Sequence, residues 1–379
     1  MSQMVRGMKR LAVLGSTGSI GRQTLDIVRS FPDELRVVAL ACGTNVSLLK
    51  EQVAEFRPRW IGADRGAGEL NVEGANQLSL EDIASHPDVD LVIVATSGRA
   101  GLLPTLSAIR AGKRIAIANK EVLVMAGDVV MGEARRCSAD ILPIDSEHSA
   151  IWQCLRGEGA GDIAKIILTA SGGPFRTLSP SSLASVTPEN ALAHPTWQMG
   201  AKVTVDSATL MNKGMEVIEA RWLFDVPLSQ IEVVVHPESI VHSLVQFKDG
   251  STKAQLSQPD MRMPIQYALT YPERWTAPID YGVRFAELGS LRFEAVDLGR
   301  FPCLRLALEA AAKGGTYTAV LSGADEMAVE LFLQRRIRFD EIAGFVERTL
   351  DEHRGIGHPS IEDILAAEQW ARQAVQRSS

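Results

Sequence analysis

Along the 379-residue chain the spacing of apolar positions changes twice. Up to about residue 150, short Val- and Ile-rich runs ("RLAVLG", "LRVVALACG", "RWIGA", "DLVIVATSG", "KRIAIAN", "ADILPID") alternate with stretches such as "RQTLDIVRSF" and "VSLLKEQVAEF". The runs predict buried parallel strands and the stretches amphipathic helices, so residues 1–150 read as an α/β domain with a Rossmann-like parallel sheet. From Ile151, "AKIILTASGG", "AKVTVDS", "IEVVVHP", "IVHSLVQF" and "TKAQLS" follow with few long helices between them. They predict a central α+β domain over 151–285, left through the Pro-bearing "TYPERWTAPIDYG", with a linker over 286–302. Four amphipathic segments from Cys303 predict a C-terminal helical bundle over 303–379.

Composition narrows the function classes. Hydrophobic residues make up 46% and charged residues 22%, as in a soluble globular protein. A net charge of −7 argues against nucleic acid or a membrane surface as partner, so an anionic ligand needs a few placed cations. The four cysteines lack metal-ligand spacing, and "MSQMVRGMKR" lacks an apolar secretory core. A cytoplasmic protein is expected.

In "LAVLGSTGSIGRQTLDIV", Gly15, Gly18 and Gly21 are spaced GxxGxxG between a strand and a helix. Glycines there let backbone approach a pyrophosphate at a helix N-terminus, and the competing reading is a structural turn. The next strand ends in "ACGTNV", without the acidic residue that would accept a ribose 2′-hydroxyl. The neutral Thr44 and Asn45 favour NADP over NAD.

"PIDSEHSAIWQ" puts Asp145 and Glu147 two positions apart, an arrangement that calls for a cation or for solvation on a loop. If the segment extends a strand, both carboxylates face one site. In "VDSATLMNKGMEVIEA", one helix starting near Ser207 would set Asn212, Lys213 and Glu216 on a common face. Glu216 could then complete an all-oxygen set for Mg²⁺ or Mn²⁺, and the bland alternative is a solvated Lys–Glu pair.

These motifs, with "GSTGSIG", "ANKE", "TASGGPFR", "HPTWQMG", "HPESIVHSLVQF" and "QPDMRMPIQYAL", run almost the whole length. Together they resemble the 1-deoxy-D-xylulose 5-phosphate reductoisomerases. The resemblance implies NADPH- and metal-dependent rearrangement and reduction of that ketose phosphate to 2-C-methyl-D-erythritol 4-phosphate, in the non-mevalonate isoprenoid pathway. It implies a divalent cation (Mg²⁺, Mn²⁺ or Co²⁺) on Asp145, Glu147 and Glu216, and substrate on Ser146, Glu147, Ser171, His194, Ser207, Asn212, Lys213 and Glu216. Lys120 would lie close to the reacting groups, making Lys120, Glu147 and Lys213 the candidates for chemistry. Trp197 would cap the substrate from a lid. NADPH would lie along Thr17, Gly18, Ser19 and Ile20, then Gly43, Thr44 and Asn45, with Asn119, Glu121 and Gly200 completing its site. A homodimer follows from the family. This chain departs from the family at Thr44, a position often basic there, at Val122, usually Ser, and in "TSGRAGL". The rival classes are a dehydrogenase of the semialdehyde or homoserine type, disfavoured by the acidic trio, and a nucleotide-sensing protein, which needs no metal.

Overall fold

The computed structural model describes residues 7–64, 70, 72–193, 197 and 199–379. The chain divides into two compact units. The first comprises Met1–Val122, Val129–Ser149 and Met261–Asp280, and the second Leu123–Asp128, Ala150–Asp260 and Tyr281–Ser379.

The first unit is built on seven strands: β1 (Lys9–Leu14), β2 (Leu35–Cys42), β3 (Trp60–Ala63), β4 (Asn76–Gln77), β5 (Leu91–Val94), β6 (Arg114–Ile117) and β7 (Ile141–Pro143). Their order is β4-β3-β2-β1-β5-β6-β7, with every neighbouring pair parallel. Leu11–Leu14 and Val92–Val94 are entirely buried, as expected of inner strands covered on both faces. The chain leaves β1 toward β2 on one side and resumes at β5 on the other. Such a reversal opens a crevice beyond the carboxyl ends of β1 and β5, where ligands of this architecture bind.

Residues 261–280 were expected with the central domain, but they cluster with the first unit. Lys9 Nζ donates to Leu269 O at 2.8 Å, and the Phe31 and Trp275 rings meet edge-on at 5.1 Å. Nothing in the local pattern of "RMPIQYALT" announces that docking, which rests on contacts more than 200 positions away in sequence.

The second unit carries a mixed sheet of β8 (Ile163–Ala170), β9 (Ile231–Val235), β10 (Val241–Phe247), β11 (Thr252–Leu256) and β12 (Glu294–Ala295), ordered β11-β10-β8-β9-β12. β8 and β9 run parallel, and the other pairs are antiparallel. The helix Met211–Phe224 lays Val217 and Ala220 on a core with Ile166, Leu168, Val245 and Phe247. Helices Pro302–Lys313, Tyr317–Leu333, Ile342–Glu352 and Ile361–Ser378 form the expected C-terminal set. The segment 286–302, expected as a linker, instead supplies the edge strand β12.

One strand expectation fails outright. "AKVTVDS" lies in a helix, Ala201–Thr209. Its β-branched run fits because Thr204 Oγ1 donates back to Gly200 O at 2.9 Å, and because Thr204–Thr209 are buried within the unit.

Candidate active site

In the first unit every expected ligand contact lies beyond the carboxyl end of a strand. Thr17–Ile20 follow β1, Gly43–Asn45 follow β2, Asn119–Glu121 follow β6, and Asp145–Glu147 follow β7. The glycine turn reads partly as architecture. A Cβ on Gly15, whose φ is +89°, would stand 2.2 Å from Ala95 O, and one on Gly21 would stand 2.3 Å from Gly15 O. Those two glycines let the turn pack on itself and on the end of β5. A Cβ on Gly18, which is exposed, would stand 3.3 Å from Gly15 O. It forms the N-cap of the helix Ser19–Ser30 with no side-chain capping bond, as an anion-binding helix start requires.

The two asparagines are occupied by the fold. Asn45 Oδ1 accepts from Leu48 N at 3.1 Å, capping the helix Val46–Phe56. Asn119, 2% exposed, accepts from Val122 N and donates to Thr96 Oγ1 at 3.1 Å and Gly98 O at 2.9 Å. It ties the loops after β5 and β6 and caps the helix Lys120–Cys137. Glu121 lies half-buried in the first turn of that helix, and Gly43 and Thr44 are exposed.

Asp145 and Glu147 are placed differently from the strand alternation that was expected. β7 ends at Pro143, and Glu147 lies in the first turn of the helix Ser146–Cys154. Lys120 Nζ lies 2.8 Å from Asp145 Oδ2, and Ser146 Oγ donates to Glu147 Oε2 at 2.7 Å. Carboxylates at a helix start are favoured by the helix dipole.

In the second unit the single helix expected from Ser207 to Phe224 is two. Ser207 is near the end of Ala201–Thr209, Leu210 turns the chain with φ of 58°, and Met211–Phe224 begins anew. A left-handed non-glycine residue costs roughly 1–2 kcal/mol. The Leu210 side chain, buried with Ala170, Phe301 and Leu304, offsets that with about 1.5–3 kcal/mol of burial. This break puts Asn212 and Lys213 in the first turn of a 14-residue helix. Asn212 Nδ2 donates to Glu216 Oε1 at 2.5 Å, and Lys213 Nζ pairs with Glu216 Oε2. The common face of the three residues is therefore as expected, but it is not solvated: Lys213 is 3% and Glu216 1% exposed. Gly214 lets Pro302–Lys313 approach, since a Cβ there would stand 2.3 Å from Ala307 Cβ.

Ser171 follows β8 in a double-glycine turn that sequence reading passed over. Gly172 and Gly173 have φ of +83° and +67°, and Gly173 N donates to Ser171 Oγ at 3.2 Å. A Cβ on Gly173 would stand 2.7 Å from Ser207 O. The turn thus brings the Ser171 loop against the end of the helix carrying Ser207, and the "GG" after a strand was its signal. Gly200 is exposed at the start of that helix, and the Trp197 ring lies 6.1 Å from that of His242. His194 lies outside the described residues.

His236 has a structural role, as expected. It is fully buried, its Nε2 accepts from Ile240 N and Val241 N, and its Nδ1 meets Arg292 O at 2.8 Å.

Models of 1-deoxy-D-xylulose 5-phosphate reductoisomerase match residues 11–127, and models of its C-terminal domains match 141–224 and 256–374. The reductoisomerase of Caldanaerobacter subterraneus subsp. tengcongensis is 52% identical, over 98% of this chain and 99% of its own. The chain belongs to the 1-deoxy-D-xylulose 5-phosphate reductoisomerase family. The reductoisomerase of Pelotomaculum thermopropionicum is 51% identical, over 96% of this chain and 97% of its own. A solved family member in complex with NADPH, fosmidomycin and magnesium is 42% identical, with a TM-score of 0.89 and 98% of each chain covered. The Zymomonas mobilis enzyme in complex with NADPH is 40% identical, with a TM-score of 0.90, over 98% of this chain and 99% of that one. The Rossmann-like α/β class expected from the sequence is thereby the family's fold.

Proposed function

We propose that this chain converts 1-deoxy-D-xylulose 5-phosphate to 2-C-methyl-D-erythritol 4-phosphate, using NADPH and a divalent cation. The observation that carries the reading is the 52% identity with a named reductoisomerase over nearly the whole of both chains. The residue types suit the two bound groups. The uncapped helix start after the glycine turn suits a pyrophosphate, and Asp145, Glu147 and Glu216 offer the carboxylate oxygens that a hard cation such as Mg²⁺ takes. When bound, NADPH supplies hydride and the cation polarises the ketone and hydroxyl oxygens of the substrate.

Within that reading each unit has its task. Thr17–Ile20, Gly43–Asn45, Glu121 and Gly200 hold NADPH, and Asn119 shapes the loop beneath it. Ser171, Ser207, Asn212 and Lys213 bind the phosphate and hydroxyl groups, with Ser146 and His194, and Trp197 excludes water from above. Lys120 presents an ammonium to the reacting oxygens. Asp145, Glu147 and Glu216 orient the cation.

A homodimer is part of the proposal. Phe285 and Phe293 are 69% and 47% exposed, the second beside the edge strand β12, and a second copy would cover them. So is a reducing, cytoplasmic setting. All four cysteines are free, and burial pushes the Cys154 thiol up to about 11 and those of Cys42 and Cys303 upward as well. Among the described residues no helix is long and apolar enough to cross a membrane.

The deciding assay follows NADPH oxidation with the ketose phosphate, with and without Mg²⁺ or Mn²⁺. Turnover that requires both substrate and cation is expected, and turnover that survives chelation would refute the metal assignment. Light scattering that gives a monomer mass would refute the dimer.

A further inference from the structure

Gln52 is a polar residue in a core-facing position. On the helix Val46–Phe56 it shares the buried face with Leu49 and Val53 and is 4% exposed. A buried amide costs free energy unless its hydrogen bonds are made. Both of its bonds go to one residue of the glycine turn: Ser16 Oγ donates to Gln52 Oε1 at 2.7 Å, and Gln52 Nε2 donates to Ser16 O at 2.9 Å. Ser16 is itself fully buried, and its N–H, like that of Gly15, donates to Ala41 O near the end of β2. The turn after β1 is therefore locked to the helix after β2 through side chain and backbone together.

These two elements carry the two points assigned above to the phosphates of NADPH. One is the uncapped start of Ser19–Ser30, for a pyrophosphate. The other is the exposed tip Gly43–Thr44, joined through its cap Asn45 to the helix that bears Gln52. We propose that Gln52 is a positioning residue for cofactor choice: by clamping Ser16 it sets the span between the pyrophosphate point and the ribose 2′-phosphate point. A ligand that uses both points depends on that span. One that lacks the 2′-phosphate depends on the turn alone.

The inference rests on the NADPH reading, and the experiment separates the two. Kd values for NADPH and NADH are measured on the wild-type chain and on Gln52→Met, which keeps the volume and removes both bonds, together with kcat and the KM for the ketose phosphate. Wild-type protein that does not bind NADPH would overturn the cofactor reading and this inference with it. With wild-type binding intact, Gln52→Met is expected to raise the NADPH Kd about tenfold and the NADH Kd less than about threefold, with kcat at saturating NADPH and the substrate KM unchanged. Equal rises for both cofactors, or a lowered Tm with both Kd values unmoved, would reduce Gln52 to a packing residue and overturn the proposal. Should Gln52→Met fail to fold, Ser16→Ala removes one of the two bonds. A smaller shift with the same NADPH bias is expected of it, and no bias overturns the proposal equally.

Discussion

The Lys120–Asp145 pair of the first unit and the Lys213–Glu216 pair of the second join the same two chemical groups in unlike surroundings. Asp145 follows the end of a parallel strand and its side chain keeps 15% of its exposure, with Lys120 at 9%. Glu216 is inside a helix packed on a sheet, its side chain 2% exposed and held by both Lys213 and Asn212. The first carboxylate is only partly buried and pairs with a buried lysine. The second is desolvated, so its charge depends on donors the protein itself supplies.

The largest effect should come from Glu216→Gln, which removes an oxygen charge while leaving the helix intact. Losing even an outer partner of a metal ligand costs about 10–100-fold, so turnover should fall by at least about a hundredfold with the NADPH Kd unchanged. A metal titration of the NADPH oxidation rate checks this, and an unaltered curve would take Glu216 out of the cation site.

Lys213→Met against Lys120→Met tests the comparison directly. Stripping the lysine from the fully buried pair leaves the Glu216 carboxylate desolvated without that cation, which should cost about 3–5 kcal/mol in metal-free denaturant unfolding. The less deeply buried Lys120–Asp145 pair should lose only about 1.5–3 kcal/mol, the range for one bond to a charged group. Equal losses would mean that the two carboxylates are equally desolvated. If folded protein is recovered, Lys213→Met should also raise the KM for the ketose phosphate about ten- to a hundredfold and spare the NADPH Kd. An unchanged KM would leave Lys213 a structural partner of Glu216 only.

Thr44→Asp probes the cofactor end of the first unit without touching either pair. A carboxylate at the tip repels a 2′-phosphate and accepts from a 2′-hydroxyl, so the ratio of kcat/KM for NADPH over NADH should fall about tenfold. The KM for the ketose phosphate should stay put. A ratio that does not move means that the tip after β2 is not the 2′-phosphate site.

The smallest effect concerns acid and belongs to the second unit alone. Burial holds the His353 imidazole below its ordinary 6.5, beside Thr316 Oγ1 at 2.7 Å and the rings of Tyr317 and Trp370. The folded state thus binds its proton less readily than the unfolded chain. The stability linked to this group is complete above pH 6.5 and is lost as pH falls from there through the lower folded value. Denaturant midpoints between pH 7.5 and 5 should drop in the wild type by more than in His353→Gln. Parallel slopes would exclude His353 as a source of acid sensitivity.

The sequence showed the chemistry of the candidate residues in both units more fully than their geometry. The six strands expected in the first unit are all present, because fully apolar runs bounded by turns have few other places to go. The i,i+3 and i,i+4 spacing of Asn212, Lys213 and Glu216 held through the helix break, since all three lie beyond Leu210. The break itself was illegible. Leu210 tolerates a positive φ only because Ala170, Phe301 and Leu304, distant in sequence, bury its side chain. "AKVTVDS" failed for a related reason: a β-branched run suits strand or helix, and the choice fell to which neighbours could cover it.

By itself, then, the sequence determined the family, the element types wherever periodicity was long or uniform, and the residue types available for a phosphate, a dinucleotide and a hard cation. Those follow from short-range sterics, from solvation and from the chemistry of individual side chains. Only the tertiary structure decided that residues 261–280 join the first unit, that Gly15 and Gly21 serve backbone packing, that the Asn119 side chain is spent on holding loops, and that Glu216 is buried where Asp145 is not. Each of those outcomes depends on what a distant segment places beside the residue. Local pattern sets how much a side chain gains by leaving water, and the packed neighbours set whether it leaves and what it meets there.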